Sequence, residues 1–152
     1  MGKVYRCSVQ LKRAQARKII DEVFRTAREA SLDPLTAIVL DGGGHTIAAE
    51  REDGCAPLRY PVAEGKAFAA LGNGVSSGVL GERNAERPAF LASVAAASGG
   101  RYIPVAGGVL ILDASKQVIG AVGISGASSA EDESAAIAGI EAAGLGWGRE
   151  PI

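Results

Sequence analysis

The sequence contains few of the residues that most often build metal and catalytic centres. It has one histidine, His45, and two cysteines, Cys7 and Cys55, which lie far apart and lack metal-binding spacing. A metal site made of several histidines is therefore excluded. A serine–histidine–aspartate triad would have to use His45, and the chain has no G-x-S-x-G motif. Aromatic residues make up only 5% of the chain, so the core has to be built from alanine, valine, isoleucine and leucine.

The sequence also lacks a surplus of either charge and a long apolar run. With 16 basic and 17 acidic residues the net charge is −1, and there is no long basic tract, so nucleic acid is not an expected partner. No apolar run approaches the roughly 18 residues of a membrane span, and no export signal is recognisable. We therefore expect no membrane partner and a cytoplasmic location. The length predicts a single domain over 1–152, with a tail at 146–152.

Hydrophobic periodicity predicts helices interleaved with β-hairpins. The three glycines at 42–44 predict a tight turn, because glycine readily adopts positive φ. Hairpins imply antiparallel strands, so the predicted fold class is α+β: an antiparallel sheet of about five strands flanked by helices. The predicted strands are 3–10, 35–41, 45–53, 109–113 and 117–125, and the predicted helices are 11–30, 57–72 (starting at Pro57 or Pro61), 86–98 and 128–144, with 73–84 as a loop.

Several glycine clusters suggest phosphate binding, but their contexts argue against it. The GGGHT segment leads into a strand, and neither GNGVSSG nor GISGASS ends as a P-loop does. The GAVGISG segment lacks the βαβ setting of a dinucleotide-binding fold. Two interpretations remain for the start of the last helix. Backbone N–H groups at 127–131 hold an anion or carboxylate, or the glycines simply let helix and sheet pack closely.

His45 follows the glycines of LDGGGHTIAAEREDG (40–54) directly. One interpretation is a functional group presented by the turn, and haem is the cofactor for which a single axial histidine suffices. The other is simply the first residue of a strand, with its ring at the solvent edge. Lys66 shares a predicted helix with Glu64 and is either a solvated surface residue or the partner of an anionic group such as a propionate.

Three segments together resemble a known family. They are IVLDGGGHTIAAEREDG (38–54), AEGKAFAA (63–70) and GGVLILDASKQVIGAVGISGASSAEDESAAIAGIEA (107–142). These segments are similar to the GlcG/HbpS family, which is related to the C-terminal domain of PduO proteins. The resemblance runs from about residue 9 to about residue 144 and keeps the order of the family's elements.

The resemblance implies an α/β/α sandwich of profilin-like or Roadblock-like shape, homo-oligomers, and haem binding by some members. In this chain it makes His45 the candidate axial ligand of a haem iron and Lys66 the candidate propionate partner. A corner of the sheet open to a guest molecule is expected. The chain departs from the family there, with SGA for SGG at 125–127 and GGVLI for GGVPI at 107–111. The implied ligand-binding residues of this corner are Gly107, Gly108, Gly123, Ser125 and Gly126.

Three functions follow as hypotheses. The leading one is a cytoplasmic, oligomeric small-molecule-binding protein for haem or a related tetrapyrrole. The competing one is a cofactor-free catabolic enzyme of the isomerase, lyase or hydrolase type, acting on a small carboxylate or carbonyl compound. In that enzyme His45 or Glu64 serves as general base and Lys66 neutralises charge. The third is an assembly module that binds no ligand.

Overall fold

A computed structural model describes residues 2–152 and shows one antiparallel sheet between helical layers. The strand order is β2-β1-β4-β3-β5, and every neighbouring pair is antiparallel. The predicted α+β class with a five-stranded antiparallel sheet is confirmed. The helices are α1 (Arg13–Glu29), α2 (Arg59–Asn73), α3 (Ser77–Arg83), α4 (Pro88–Ala97) and α5 (Ser129–Ala142), and the strands are β1 (Thr36–Asp41), β2 (Thr46–Arg51), β3 (Gly108–Leu112), β4 (Val118–Ser125) and β5 (Gly146–Gly148).

The central strands are buried on both faces, which explains their nearly continuous apolar sequences. Val39 and Val122 pack into the layer formed by α1 and α5. The alternate positions Ile38 and Leu40 pack under α2 on the opposite face. Because strand side chains alternate between faces, each central strand supplies both cores at once. The result is the helix–sheet–helix sandwich that the sequence predicted.

The fifth strand is not the one predicted from the sequence. Residues 3–10 are exposed and pair with no strand within the described residues 2–152, although their apolar residues alternate. The predicted tail instead contains β5, which pairs with β3 through Trp147 opposite Ile111. Two glycines flank Trp147, so this strand carries only one side chain and gives almost no alternation signal. Short edge strands of this kind escape pattern recognition.

The segment predicted as the loop 73–84 contains a helix, α3. Ser76 caps it by accepting a hydrogen bond from the Val79 N–H at 3.4 Å. A side chain at Gly78 or Gly81 would collide with the segment at 104–106, so these glycines permit close packing rather than marking a loop. The following helix α4 is apolar but has no buried residue.

The two main hairpins end in the same kind of turn. In the first turn (41–45), Asp41 Oδ1 accepts hydrogen bonds from the backbone N–H of Gly43 at 2.9 Å and of His45 at 3.0 Å. In the second turn (113–117), Asp113 Oδ1 accepts from Ser115 at 2.8 Å and Gln117 at 2.9 Å. An aspartate therefore organises both turns by bonding the backbone two and four residues later.

Only one of the three glycines at 42–44 is required by the turn itself. Gly44 has a φ of +83°, and the matching position of the second turn is Lys116 with a φ of +60°. The other two have no positive φ within the described chain. A Cβ at Gly43 would lie 3.0 Å from His45 Nδ1, and one at Gly44 would lie 2.7 Å from the Phe68 ring. These glycines clear space for the two rings.

The contact between α2 and the sheet depends on glycines with no room for a side chain. A Cβ at Gly123 in β4 would overlap the carbonyl oxygen of Ala63, and one at Gly108 in β3 would overlap that of Lys66. The backbone of α2 therefore lies directly on β3 and β4. This close approach fixes the depth of every side chain that α2 presents to the sheet.

Replacing Gly123 with alanine should lower the free energy of unfolding by about 2 to 3 kcal/mol, because backbone must move to admit the methyl group. The control is Gly72→Ala in α2, the helix that packs on Gly123, where no atom lies within 4 Å of the added Cβ. The control should gain up to about 1 kcal/mol from helix propensity. Urea unfolding of both variants tests this, and equal effects would contradict the packing account.

Candidate functional site

Lys66 lies at the contact between the two helical layers. Its side chain is only 4% exposed, and Nζ donates to Asp132 Oδ2 and to the Ile124 carbonyl oxygen, both at 3.0 Å. Asp132 belongs to α5, on the other face of the sheet from α2. The ammonium therefore joins the two layers around the end of β4. Neither charge is exposed to solvent.

The N-terminus of α5 already holds a carboxylate, that of Asp132. The Ala127 N–H donates to Asp132 Oδ1 at 3.0 Å, while Ser128 and Glu131 form a capping box. Burial raises the pKa of the Asp132 carboxyl, and the neighbouring Lys66 ammonium opposes this rise. The anion predicted at 127–131 is thus an internal side chain, which satisfies the helix terminus without a ligand.

The corner of the sheet expected to admit a guest is filled. A Cβ at Gly107 would lie 2.8 Å from Lys66 Nζ, and one at Gly126 would overlap the carbonyl oxygen of Pro34. Ser125 is fully buried, and its hydroxyl has no hydrogen-bond partner within residues 2–152. The structure places Gly107 against the Lys66 side chain, and Gly108 and Gly123 against the backbone of α2, so these corner residues form packed contacts. The role predicted for Lys66 as propionate partner is opposed by its burial.

His45 is presented on the open side of the first turn. Its side chain is 82% exposed, and Nδ1 lies 3.4 Å from Asp41 Oδ1. The ring edge formed by Nδ1 and Cε1 faces Gly43. A carboxylate near Nδ1 favours the tautomer protonated there, and Nε2 then keeps its lone pair for a metal ion.

An aromatic ring and a guanidinium support the turn from below. Arg101 Nη2 donates to the Gly44 carbonyl oxygen at 2.7 Å, and its guanidinium lies 4.1 Å from the centre of the Phe68 ring. Arg101 Nε is 2.8 Å from Glu64 Oε1, but the N–H does not point along that line, so this contact is an ion pair without an aligned hydrogen bond. Together Glu64, Phe68 and Arg101 form a cluster, called the Arg101 cluster below, beside the residue that precedes His45.

The candidate residues on α2 do not converge on one point. Glu64 and Lys66 are two positions apart, so a helix directs them about 200° apart. Accordingly Glu64 joins the Arg101 cluster near the surface, whereas Lys66 turns into the protein toward Asp132. The sequence analysis missed Arg101. This arginine follows two glycines and belongs to no helix or strand, so no periodic pattern of side chains points to it.

The open clefts lie elsewhere. One cleft of about 680 Å³ lies between the second hairpin and the C-terminal segment, and two others have about 540 and 400 Å³. None of these three has His45 or Lys66 in its wall. Within residues 2–152, no group of three or more histidine, cysteine, aspartate or glutamate side chains is arranged to hold a metal ion. No helix in this part of the chain is long and apolar enough to cross a membrane.

The sequence match to a family covers most of the chain. Residues 11–141 match the family described as "Haem degrading protein HbpS-like". The chain belongs to the HbpS-like family. The matched range includes both hairpins, the buried Lys66–Asp132 pair and the Arg101 cluster, so the resemblance noted in the sequence is confirmed. No curated protein matches this HbpS-like chain.

Solved structures share the fold over nearly their whole length. The Klebsiella pneumoniae protein ORFY is 22% identical, with a TM-score of 0.80, and the match covers 95% of this chain and 97% of that one. The PduOC:Heme complex is 21% identical with a TM-score of 0.80, covering 91% and 98%. HbpS is 27% identical with a TM-score of 0.75, covering 93% and 95%. At these identities the first two show the fold alone.

Breaking the buried ion pair should be costly. Lys66→Met should lower the free energy of unfolding by about 3 to 5 kcal/mol, because it leaves the Asp132 carboxylate buried and unpaired. Lys66→Met combined with Asp132→Leu should recover most of this loss. As a control, Arg83→Met removes an exposed ion pair with Glu150 and should change stability by less than about 1 kcal/mol. An unchanged urea midpoint for Lys66→Met would contradict this account.

The first turn should lose its order in acid. Burial raises the pKa of Asp41, but the backbone N–H groups of His45 and Gly43 and the imidazole charge together hold the pKa below its ordinary value. The stabilisation is therefore complete above about pH 4 and is lost as pH falls through the lowered pKa of the folded state. Amide shifts of Gly43 and His45 should titrate together with this low pKa and stop titrating in Asp41→Asn. A midpoint above the ordinary aspartate value would contradict the geometry.

Proposed function

We propose that this HbpS-like protein binds haem on its surface, with His45 Nε2 as an axial ligand of the iron. The observation that carries the proposal is that the His45 side chain is exposed and has the Asp41 carboxylate beside its Nδ1. His45 is 82% exposed, and its Nδ1 lies 3.4 Å from Asp41 Oδ1. A carboxylate beside the far nitrogen of a metal-binding histidine orients the ring and raises its basicity.

The exposure of His45 makes its imidazole accessible to a planar macrocycle. Only about a fifth of the His45 side chain is covered, which leaves most of the ring open to a flat ligand. Imidazole nitrogen is a common ligand of haem iron, and bound haem supplies the redox and oxygen chemistry of that iron. The chain's own residues hold the imidazole in one orientation through the Asp41-organised turn.

Family membership supports the same proposal. The family is described by haem degradation, and one structural neighbour is a haem complex. The alternative of a cofactor-free enzyme receives less support from the geometry. Its proposed charge-neutralising lysine, Lys66, is buried against Asp132, and Glu64 is engaged with Arg101.

Haemin titration into the purified protein tests this proposal. The unaltered protein should give a sharp Soret band, and His45→Ala should abolish its shift and weaken binding at least about tenfold, since no other histidine is present. Free imidazole added to His45→Ala should restore a ligated spectrum. Identical spectra for the unaltered protein and His45→Ala would overturn the proposal.

The second turn offers a matched control for nonspecific binding. Gln117 occupies the position in that turn that His45 occupies in the first. The double variant His45→Ala/Gln117→His therefore carries one histidine on an equivalent turn without the Arg101 cluster. It should bind haemin much more weakly than the unaltered protein. Equal binding would mean that any histidine presented in this way suffices.

A further inference from the structure

We infer that the exposed segment at 2–10, called the arm below, binds a groove on a second copy of this chain, and that the two copies exchange arms. The groove is the cleft of about 680 Å³ between the second hairpin and the C-terminal segment. It is lined by Leu110, Leu112, Val118 and residues 144–148 and is called the Leu112 groove below. The inference is independent of haem binding at His45.

The arm presents apolar side chains to solvent. Residues 2–10 belong to no helix or strand, and all of them are exposed. Tyr5 is fully exposed, and the exposed fractions of Val4 and Val9 are 83% and 67%. Tyr5, Cys7 and Val9 alternate, so an extended arm carries all three on one face. Such a segment gains free energy when that face is laid on an apolar surface.

The Leu112 groove is an apolar surface without a cover. Gly146 and Gly148 of β5 stand opposite Leu112 and Leu110 of β3. Residues that face each other in antiparallel strands point to the same side of the sheet. Because these two glycines lack side chains, the leucine side of β3 stays open beside the end of α2. The arm therefore lies on this face of the sheet and does not extend its edge.

The exposed apolar side chains of the molecule are concentrated on these two surfaces. In the described chain, six of the nine large apolar side chains that are exposed belong to the arm or line the Leu112 groove: Val4, Tyr5, Val9, Val118, Trp147 and Ile152. One chain thus carries both an apolar segment without a surface and an apolar surface without a segment. A contact between two copies covers both.

The charges of the two surfaces are compatible with this contact. Lys3 and Arg6 give the arm a charge of +2, and the arm contains no acidic residue. The charged residues in the wall of the groove sum to −1: Asp113, Lys116 and Glu150. Arg83 pairs with Glu150 and neutralises part of this charge. The apolar face therefore supplies most of the affinity, and the opposite charges favour the encounter of arm and groove.

The size of the arm explains why the exchange is reciprocal. The nine residues at 2–10 are few compared with the roughly 20 to 30 residues that each partner contributes to a stable interface. Two-fold symmetry places the arm of each copy in the groove of the other and doubles the contact. A fully extended arm spans about 30 Å, which is long enough to reach across to a neighbouring molecule.

Thiol cross-linking between two differently tagged chains tests which copy the arm contacts. One chain keeps its exposed Cys7, and the other carries Cys7→Ser together with Ala114→Cys in the groove wall. After the chains are mixed, a short bismaleimide should join them into a heterodimer on a denaturing gel. The matched control carries Ala89→Cys instead, at an exposed alanine of α4 outside the groove. The yield at position 114 should be at least about tenfold higher, because a docked arm raises the effective thiol concentration.

Two cross-linking results would overturn the inference. Equal yields at positions 114 and 89 would mean that the thiols meet by random collision. A single chain with both Cys7 and Ala114→Cys that links only within itself would place the arm in its own groove. Cys55 is buried and present in every chain, so it contributes the same background throughout.

Sedimentation equilibrium measures the strength of the contact. The unaltered protein should form dimers or a multiple of them, and Tyr5→Ser should raise the dissociation constant about tenfold. Val118→Lys should weaken association similarly, because it places a cation against a basic arm. Leu58→Ser is the matched control, since Leu58 is 73% exposed and lies outside both surfaces, and it should change nothing. Circular dichroism of each variant checks that the fold is retained. A monomer at every concentration, or association unaffected by Tyr5→Ser, would overturn the inference.

Discussion

The buried ion pair between Lys66 and Asp132 constrains more of this molecule than any other single contact. A charged pair without solvent is tolerated only when nearly every donor and acceptor is occupied, and here a backbone carbonyl and the N-terminus of α5 complete the set. The lysine reaches its partner because Gly107 leaves a gap at the start of β3. Glycine at 108 then lets α2 approach the sheet closely enough. Several glycines that resemble a ligand loop in the sequence are consequences of this one contact.

The sequence predicted those elements whose side chains alternate or recur over several turns. Both main hairpins, α1 and α5 were predicted because burial on a defined face produces such periodicity. The short strand around Trp147 and the helix α3 were not, since glycines remove the side chains that carry the signal. Residues 3–10 show the opposite error: their apolar residues alternate as in a strand, yet they pair with no strand in the described chain. Alternation marks a capacity for pairing, and tertiary contacts decide whether it is used.

The candidate site was only partly predictable for a related reason. His45 attracted attention because it is unique, and the structure gives it an oriented and exposed ring. Lys66 seemed equally suitable in the sequence, yet helical geometry turns it inward while Glu64 turns outward. Arg101 comes from a segment of irregular structure, and its relation to Gly44 is long-range. No local pattern encodes a contact between residues so far apart in the chain.

The two edge strands of the sheet, β2 and β5, are more exposed to solvent than its central strands. At one edge, β2 is largely exposed and ends in Glu50 and Arg51; at the other, β5 has three residues, two of them glycine. Neither edge offers a long, flat, apolar template for a further strand, and β1 departs from regular register beside β2. Consequently, the molecule is protected against ribbon-like stacking into fibrils, even though its interior strands are among the most apolar segments of the chain. Concentrated solutions of the folded protein should therefore resist this route to aggregation.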